Sequence, residues 1–215
     1  MERELEIEKF KPEEFNFIQI RLGSKPISIV EDDIDNKYWV STENSGYYVL
    51  NSDFKIESHH VFDPLSPLSI STSKLSNNYE NSIIFSDSKA FISSINGFNV
   101  FNKKLKTFKR YFKGKKSKLT SNNIVGIKRV NEKILIASEK EMVLYDPQGS
   151  SFENINSSPS KINSLFSIED GPIFLRTVNT DYEISIDSDD YKIIALRANS
   201  IPKNNNMTKS NSHLL

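Results

Sequence analysis

Short apolar segments alternate with polar turns along most of this chain, and one pair of segments recurs. Its clearest form is Tyr38-Trp39-Val40-Ser41-Thr42, which a turn separates from Gly46-Tyr47-Tyr48-Val49-Leu50-Asn51. Related pairs begin at Ala90, Ile134 and Ile173, so the copies start 52, 44 and 39 residues apart. The second segment of each pair nevertheless opens seven or eight residues after the start of the first. This constant inner spacing indicates an internal repeat with insertions between the copies.

Each copy is predicted to form one antiparallel sheet of four strands. In the first copy, apolar periodicity and turn residues predict strands at 27–30, 37–42, 47–50 and 55–62, the last being polar enough for an outer strand. The copies cover about 26–64, 79–116, 122–156 and 161–196, with an insertion at 65–78. Periods of about 40 to 50 residues with several short strands are typical of propeller blades. We therefore predict an all-β chain of β-propeller blades, arranged as four four-stranded antiparallel meanders.

The two ends of the chain differ from the repeats. Residues 1–14 are predicted to be a charged lead-in, either frayed or with a short helix whose first turn would hold Pro12, Glu13 and Glu14. Residues 15–22 alternate in the manner of a half-buried strand, so the propeller repeats are expected to span 15–196. Residues 197–215 are rich in Asn, Ser and Lys and are predicted to be a disordered tail.

The strand at 15–22 predicts a partial or open propeller. A closed ring commonly completes one blade with strands from both termini, but the final repeat already has an apolar segment at 191–196 for its outermost strand. The leading strand is then surplus, and the sheets would form an open arc whose apolar end faces lack cover. We expect Ile18 and Ile20 near one unprotected end and Ile173 and Leu175 near the other, which would favour self-association.

Composition narrows the function classes without selecting one. Formal net charge is zero, so overall electrostatics favour no particular partner, and no cysteine is present for disulfides, thiol catalysis or thiolate metal sites. The charged first residues and the lack of any run of about 18 apolar residues predict neither a secretory signal nor a membrane span in the sequence as given. No G-x-S-x-G segment and no phosphate-binding or dinucleotide-binding fingerprint occurs.

Histidine is too scarce for a recognisable catalytic triad or metal centre. His59 and His60 are adjacent on a predicted strand, so their side chains should point to opposite faces and would not easily share one ion. The third histidine, His213, lies in the predicted tail. We therefore expect no catalytic residue, no metal and no cofactor.

The repeat follows a recognisable order: strand, acidic turn, aromatic-aliphatic strand ending in Ser or Thr, then Gly and a second aromatic-aliphatic strand. Residues 27–32, 38–42 and Gly46 carry it in the first copy, and residues 119–127 with 145–146 carry it in the third. This order resembles the two-component regulator propeller repeat, found in extracytoplasmic sensor regions of hybrid two-component systems of Bacteroidetes. The resemblance covers about residues 15–196. Only the first copy has the family-like tryptophan, and Glu141 and Asp181 replace the usual glycine in the last two.

The resemblance implies a non-catalytic sensor or ligand-binding propeller segment, with a carbohydrate as the ligand class and a periplasmic location. Such sensor regions usually contain one or two propellers followed by a further β domain, a membrane helix, a kinase and a DNA-binding receiver. The alternative function is a protein interaction scaffold, with the basic strand and the Asn-rich tail as accessory contacts. Other propeller or sensor segments would then be its partners.

The candidate ligand-binding residues of the first repeat are Asp32, Asp33 and Asp35 in a rim turn and Trp39 on the next strand. Alternate acidic residues offer oxygen ligands for Ca²⁺, but the glycine and distal glutamate of a calcium loop are missing. A plain hairpin turn explains the same residues, since Asp and Asn stabilise turns through local hydrogen bonds. Trp39 would either stack on a sugar ring or belong to the blade core, and its place in the repeat favours the core.

The run 103–118 contains nine basic residues and no acidic one, and its candidate basic patch consists of Lys106, Lys109, Arg110 and Lys113. With interleaved aromatic residues, this composition can bind phosphate backbones and stack bases. The alternative, which period-2 alternation favours, is an outer strand whose lysines face water while Phe108 and Phe112 pack inward. Lysines on an edge strand also protect it from aggregation. Nucleic acid is therefore not the expected partner.

Overall fold

A computed structural model describes residues 3–11, 14–75, 82–155, 160–167, 171–187 and 190–195. Within these ranges the chain forms one two-stranded and four four-stranded sheets, all of them antiparallel. None of these ranges contains a helix, so none offers a helix that could cross a membrane. The predicted disordered tail at 197–215 lies outside the described residues.

The four larger sheets follow one another along the chain, and each is a meander of consecutive strands. The first contains β3 (Pro26–Asp32), β4 (Lys37–Thr42), β5 (Tyr47–Leu50) and β6 (Ile56–His60). The second contains β7 (Ile83–Phe85), β8 (Lys89–Ser94), β9 (Gly97–Asn102) and β10 (Thr107–Tyr111). The third contains β11 (Ile124–Val130), β12 (Lys133–Ser138), β13 (Met142–Asp146) and β14 (Ser151–Asn154). The fourth contains β15 (Ile162–Ser167), β16 (Ile173–Thr177), β17 (Asp181–Asp187) and β18 (Asp190–Ala195).

This architecture confirms the predicted all-β fold of four antiparallel four-stranded meanders. In the first three sheets the two central strands are the most deeply buried, and the outer strands β6, β10 and β14 contain exposed as well as covered residues. Outer strands of this kind face water on one side, which explains their polar composition.

The charged lead-in is a strand, so the short helix suggested for residues 1–14 is wrong where the structure describes it. β1 (Arg3–Lys11) pairs with β2 (Glu14–Leu22) in a regular antiparallel hairpin that places Arg3 opposite Leu22. The sequence of β1 alternates charged residues with Leu5, Ile7 and Phe10. Alternation with period 2 favours a strand, and a partner strand with the same period fixes the register.

The β1–β2 hairpin covers the outer face of the first sheet. Ile20 and Leu22 are 5% and 2% exposed. They pack in one cluster with Val40, Tyr48, Leu50 and Phe54, with Ile18 and Tyr38 at its border. The expectation that Ile18 and Ile20 lie at an unprotected end is therefore wrong, because their apolar side chains face the neighbouring sheet.

The expected exposure at the other end is also wrong for the residues named. Leu175 is fully buried, and Ile173 packs against the same cluster, which joins the third and fourth sheets. Successive strand residues point to opposite faces, and this register directs Leu175 toward the third sheet. Phe166 and Phe174 lie on the opposite face, where their rings stack 5.4 Å apart.

Each neighbouring pair of sheets shares one apolar cluster. The first and second sheets share Trp39, Tyr47, Val49, Ala90, Ile92 and Phe101, among others. The second and third share Phe91, Phe98, Val100, Ile127, Ile136 and Tyr145, among others. The third and fourth share Leu135, Ala137, Leu144, Leu165, Leu175 and Ile184, among others. Among the described residues no cluster joins the first sheet to the fourth, as expected for an open rather than a closed propeller.

The described part of the insertion between the first two sheets, residues 65–75, is bound to both of them. Ile70 and Leu75 are buried in the shared cluster. The amide of Ser71 donates to Asn99 Oδ1 at 2.9 Å, and the carbonyl of Ser73 accepts from the amide of Gly46 at 2.9 Å. These contacts fix the course of the insertion beside the outer strand of the second sheet, where Leu68 O accepts from the amide of Phe108.

A hydroxyl closes the same turn in all four sheets. The residue that ends the second strand donates its hydroxyl to a carbonyl just before or at the start of the third. The pairs are Thr42 to Gly46 (2.9 Å), Ser94 to Gly97 (2.8 Å), Ser138 to Glu141 (3.3 Å) and Thr177 to Thr180 (2.6 Å). All four hydroxyl-bearing residues are buried. We call this hydrogen bond from a strand-ending hydroxyl to a carbonyl the hydroxyl latch. It explains the Ser or Thr of the repeat, because a buried polar group needs a hydrogen-bond partner.

Candidate functional site

A groove lies between the second and third sheets, beside the outer strand β10. Its volume is about 570 Å³. It is lined by Pro67, Leu68, Lys89, Val100, Asn102, Thr107, Phe108, Lys109, Arg110, Phe112, Tyr145 and Ser150. We call it the basic groove, because its charged lining residues are Lys89, Lys109 and Arg110 and none is acidic.

Strand pairing places the residues that form the floor of the basic groove next to one another. Asn102 lies opposite Lys89 on one side and opposite Thr107 on the other, and Val100 lies opposite Lys109. Residues paired in this way share one face of a sheet, so these side chains line a single surface. The wall opposite comes from the β13–β14 hairpin of the third sheet, through Tyr145 and Ser150.

Hydrogen bonds and ring contacts position the polar groups of the basic groove. Lys89 Nζ donates to the carbonyl of Pro147 at 2.8 Å, which ties the second sheet to the turn before β14. The hydroxyls of Tyr111 and Tyr145 lie 3.2 Å apart. Burial raises the pKa of Tyr145 to about 12, so its phenol is neutral and can donate a hydrogen bond. Lys109 Nζ lies 5.1 Å from the centroid of the Tyr111 ring.

The rim turn of the first repeat is occupied by an ion pair rather than open to a ligand. Lys103 Nζ lies 2.7 Å from Asp32 Oδ2 and 3.1 Å from Asp35 Oδ2. Asp32 is 1% exposed and Lys103 is 8% exposed, so the ammonium group takes the position that a bound cation would have. The cleft beside these residues has a volume of about 20 Å³, which is roughly the space for one water molecule.

Asp33 and Trp39 differ in their exposure to solvent. Asp33 is exposed in the β3–β4 turn, where Asn36 adopts a left-handed φ of 52°. Asn tolerates this conformation, as the hairpin-turn interpretation requires. Trp39 is 2% exposed and contacts the rings of Tyr47, His60 and Phe101. It is therefore a core residue between the first two sheets, and its ring has no free face for a sugar.

His59 and His60 face opposite sides of the first sheet, as strand alternation requires. His59 stacks on Tyr48 with ring centroids 3.9 Å apart, and His60 stacks on Trp39 at 5.6 Å. Burial, and then the charges of Lys106 and His59, lower the pKa of His60 to about 4. Within the described part of the chain no group of three or more His, Asp or Glu side chains is placed to hold a metal ion.

The structure divides the basic run 103–118 into different environments. Lys106, Lys109 and Lys113 are exposed, Arg110 is half-buried and Lys103 is buried in the ion pair. Phe108 is 4% exposed and packs inward, as the strand interpretation predicted. Phe112 is 41% exposed and lines the basic groove, so the expectation that it packs inward is wrong. β10 ends at Tyr111, which releases Phe112 from the strand register.

Sequence reasoning missed Lys89 and Tyr145 as groove residues and Lys103 as a buried ion-pair residue. Lys89 and Tyr145 belong to repeat segments that were interpreted only as strands. The one sequence signal was positional, since both residues lie at strand ends next to turns, where side chains from neighbouring sheets meet. Lys103 was noted only as the first residue of the basic run, and its acidic partners lie in another repeat.

Comparison with protein-family models found no match, and comparison with curated proteins found none either. The fold, in contrast, is similar to those of solved structures. The extracellular domain of a protein assigned to the hybrid two-component systems of B. thetaiotaomicron matches with a TM-score of 0.65 and 15% identity, over 86% of this chain and 26% of that one. The extracellular domain of a second such protein matches with a TM-score of 0.63 and 16% identity, over 87% and 24%.

A third similar structure is the WD40 domain of Pan2 from Neurospora crassa, with a TM-score of 0.53 and 13% identity, over 79% of this chain and 48% of that one. WD40 domains are β-propellers. The chain has a propeller fold. It spans about a quarter of the two extracellular domains. Those two comparisons support the resemblance to sensor propellers that the repeats indicated, while identities this low establish the fold alone.

Proposed function

We propose that this chain is a non-catalytic, ligand-binding segment of a sensory propeller, and that its ligand is a carbohydrate. The observation that carries the proposal is the basic groove, a large recess between two blades. The similar extracellular domains of hybrid two-component proteins support a sensory role. They also support a periplasmic or extracellular location for this segment.

The lining of the basic groove suits a sugar. Its volume of about 570 Å³ lies within the range of small-molecule sites. Phe112, which is 41% exposed, provides ring surface for the apolar face of a pyranose, and Lys89, Asn102 and Lys109 provide polar groups for its hydroxyls. Glycoside hydrolysis usually needs a pair of carboxylates on either side of the bond, and the groove residues include no carboxylate. Binding without turnover is therefore the proposed activity.

Further propeller segments are the proposed neighbours of this one. The chain covers about a quarter of each similar extracellular domain, and no described cluster closes the first sheet onto the fourth. Terminal repeats of such arrays need cover for their outer faces. We propose that additional blades, or a second copy of the chain, provide that cover at the fourth sheet.

Glycan-array screening followed by calorimetry tests the carbohydrate proposal. Lys89→Met and Lys109→Met keep the aliphatic stems and remove the charges, and both are expected to weaken binding of any glycan that the wild-type chain retains. Lys55→Met, on the exposed β5–β6 turn, is the matched control and should bind normally. Loss of binding in Asp33→Asn with normal binding in the groove variants would place the site at the rim turn instead. Absence of any glycan ligand would overturn the proposal.

A further inference from the structure

The outer strand β10 presents an open edge beside the basic groove. The amide of Phe108 donates to Leu68 O at 2.8 Å, so this amide points away from β9. Backbone amides two residues apart in a strand point the same way, so the amide of Arg110 also points outward. The insertion segment covers the first of these two groups, and Arg110 lines the groove itself. The insertion therefore occupies the edge of β10 at Phe108, and no hydrogen bond from a described residue covers the amide of Arg110, so this part of the edge is open within the described structure.

Large apolar side chains are exposed along the same edge. Leu105 is 66% exposed in the turn before β10, Phe112 is 41% exposed just after it, and Leu68 is 55% exposed beside its middle. Single exposed apolar residues are normal, but several that follow one strand edge mark an interaction surface. We call Leu105, Phe112 and Leu68 together with the open part of β10 the edge surface.

The strand β10 and the turns on either side of it contribute positive charge to the edge surface. All basic residues of the run 103–118 are exposed except Lys103 and Arg110. Of this run, only Lys103 forms an ion pair with a described residue. The run contains no acidic residue. A partner that complements this surface must therefore carry negative charge close to apolar groups.

We propose that the edge surface binds an acidic, extended polypeptide segment, which adds as a strand beside Arg110 and places apolar side chains against Leu68 and Phe112. Strand addition uses main-chain hydrogen bonds for affinity and alternate side chains for specificity. Nucleic acid fits less well, because Phe108 is buried and Tyr111 packs against Tyr145 and Phe152, which leaves few rings for base stacking. The proposal does not rest on the carbohydrate site.

The test uses the full chain and a labelled nine-residue peptide in which glutamate alternates with valine or leucine, with binding followed by fluorescence anisotropy. We expect binding that weakens as salt rises from about 50 to about 300 mM, because exposed charges are screened. A peptide with lysine in place of glutamate should not bind. A peptide with its central amides N-methylated, which keeps the side chains and removes the donors, should bind about tenfold more weakly.

Two protein variants and one control locate the contact. The double variant Lys109→Glu with Lys113→Glu and the variant Arg110→Pro should each weaken peptide binding by about tenfold or more. Proline is tolerated on an edge strand where its amide would face solvent, and circular dichroism checks that the fold is kept. Lys55→Glu, which reverses the charge of one exposed lysine on another sheet, should leave binding unchanged.

Several outcomes would overturn the proposal. Equal binding of the N-methylated peptide would exclude strand addition even if Arg110→Pro failed to fold. Equal loss in Lys55→Glu would show that only overall charge matters. Tighter binding of a ten-residue oligothymidylate than of the acidic peptide would make the surface a nucleic-acid site. Concentration-dependent dimerisation that the peptide does not disrupt would assign the edge to a second copy of the chain.

Discussion

Lys103 Nζ lies 2.7 Å from Asp32 Oδ2, and this contact joins the turn after β9 to the end of β3 in the preceding sheet. Both groups are almost fully buried, and the ammonium also lies 5.5 Å from the centroid of the Phe85 ring. Asp35, which is partly exposed, is its second acidic partner at 3.1 Å. The pair therefore fixes how the first two sheets meet at this rim.

Replacing Lys103 by methionine should destabilise the protein strongly. The variant Lys103→Met leaves the carboxylate of Asp32 buried without its counter-charge, which typically costs about 3 to 5 kcal/mol. Urea denaturation measures the free energy of unfolding. The double variant Asp32→Leu with Lys103→Met should recover most of the loss, because it removes both charges. The more exposed pair of Lys37 and Glu57 provides the control, and Lys37→Met should cost less than about 1 kcal/mol.

Stability should fall as pH decreases from about 6.5 to about 4 because of His60. Its pKa in the folded state is about 4, below the ordinary value of 6.5, because burial and the charges of Lys106 and His59 oppose protonation. The unfolded chain therefore binds the proton first, and the stability present above pH 6.5 is lost as the pH approaches the folded-state pKa. The full shift corresponds to at most about 3 kcal/mol.

The variant His60→Phe keeps a ring against Trp39 and removes the titrating group. We expect it to flatten the stability profile between pH 6.5 and pH 4 in urea titrations at fixed ionic strength. His59→Phe, which keeps a ring against Tyr48 on the opposite face of the sheet, is the matched control. A profile unchanged in His60→Phe would show that other groups produce the acid sensitivity.

The hydroxyl latch of the first sheet can be tested by Thr42→Val. Thr42 Oγ1 donates to Gly46 O at 2.9 Å and accepts from the amide of Ser45 at 3.0 Å. Valine has nearly the same shape but removes both bonds: Gly46 O keeps the bond from the Thr42 amide at 3.0 Å, whereas the Ser45 amide loses its acceptor, which should cost about 1 to 3 kcal/mol. Differential scanning fluorimetry and urea titration measure the change. Thr120→Val, at an exposed position, is expected to be nearly neutral.

Truncation of Leu22 tests the role of the β1–β2 hairpin. Leu22 is 2% exposed against the outer face of the first sheet, so Leu22→Ala should lower the free energy of unfolding by about 2 to 5 kcal/mol. Ile29→Ala is the control, because Ile29 on β3 is 46% exposed and should contribute much less. Equal effects of the two substitutions would mean that the hairpin does not act as a cover.

The repeat made the sheets predictable, because each copy combines a period-2 apolar pattern with turn residues at a constant offset. The strands at 37–42 and 47–50 were predicted at their observed bounds. β1 was not predicted, because its many charged residues indicated a charged lead-in although Leu5 and Ile7 alternate with them. Local pattern therefore sufficed in the repeats and at 15–22, where alternation is clear, and failed at β1, where charged residues dominate the segment.

The candidate site was harder to predict because it depends on contacts between repeats. The pairing of Lys103 with Asp32 joins two sheets, and no local pattern relates the two residues. The basic groove likewise combines the insertion residue Leu68 with Lys109 of the second sheet and Tyr145 of the third. Sequence did single out Lys109 and Arg110, through the charge of their segment, but it offered no means of placing Tyr145 beside them.

Because each apolar cluster joins only two sheets, local unfolding spreads along the array from one sheet to the next. Because each cluster belongs to two adjacent sheets, loosening of the fourth sheet can reach the first only through the second and third. Amide exchange in such a linear system is graded, with neighbour-to-neighbour coupling instead of a single global opening. The first three sheets, each packed on both faces, would then exchange more slowly than the fourth, so the basic groove lies in the better protected part of the array.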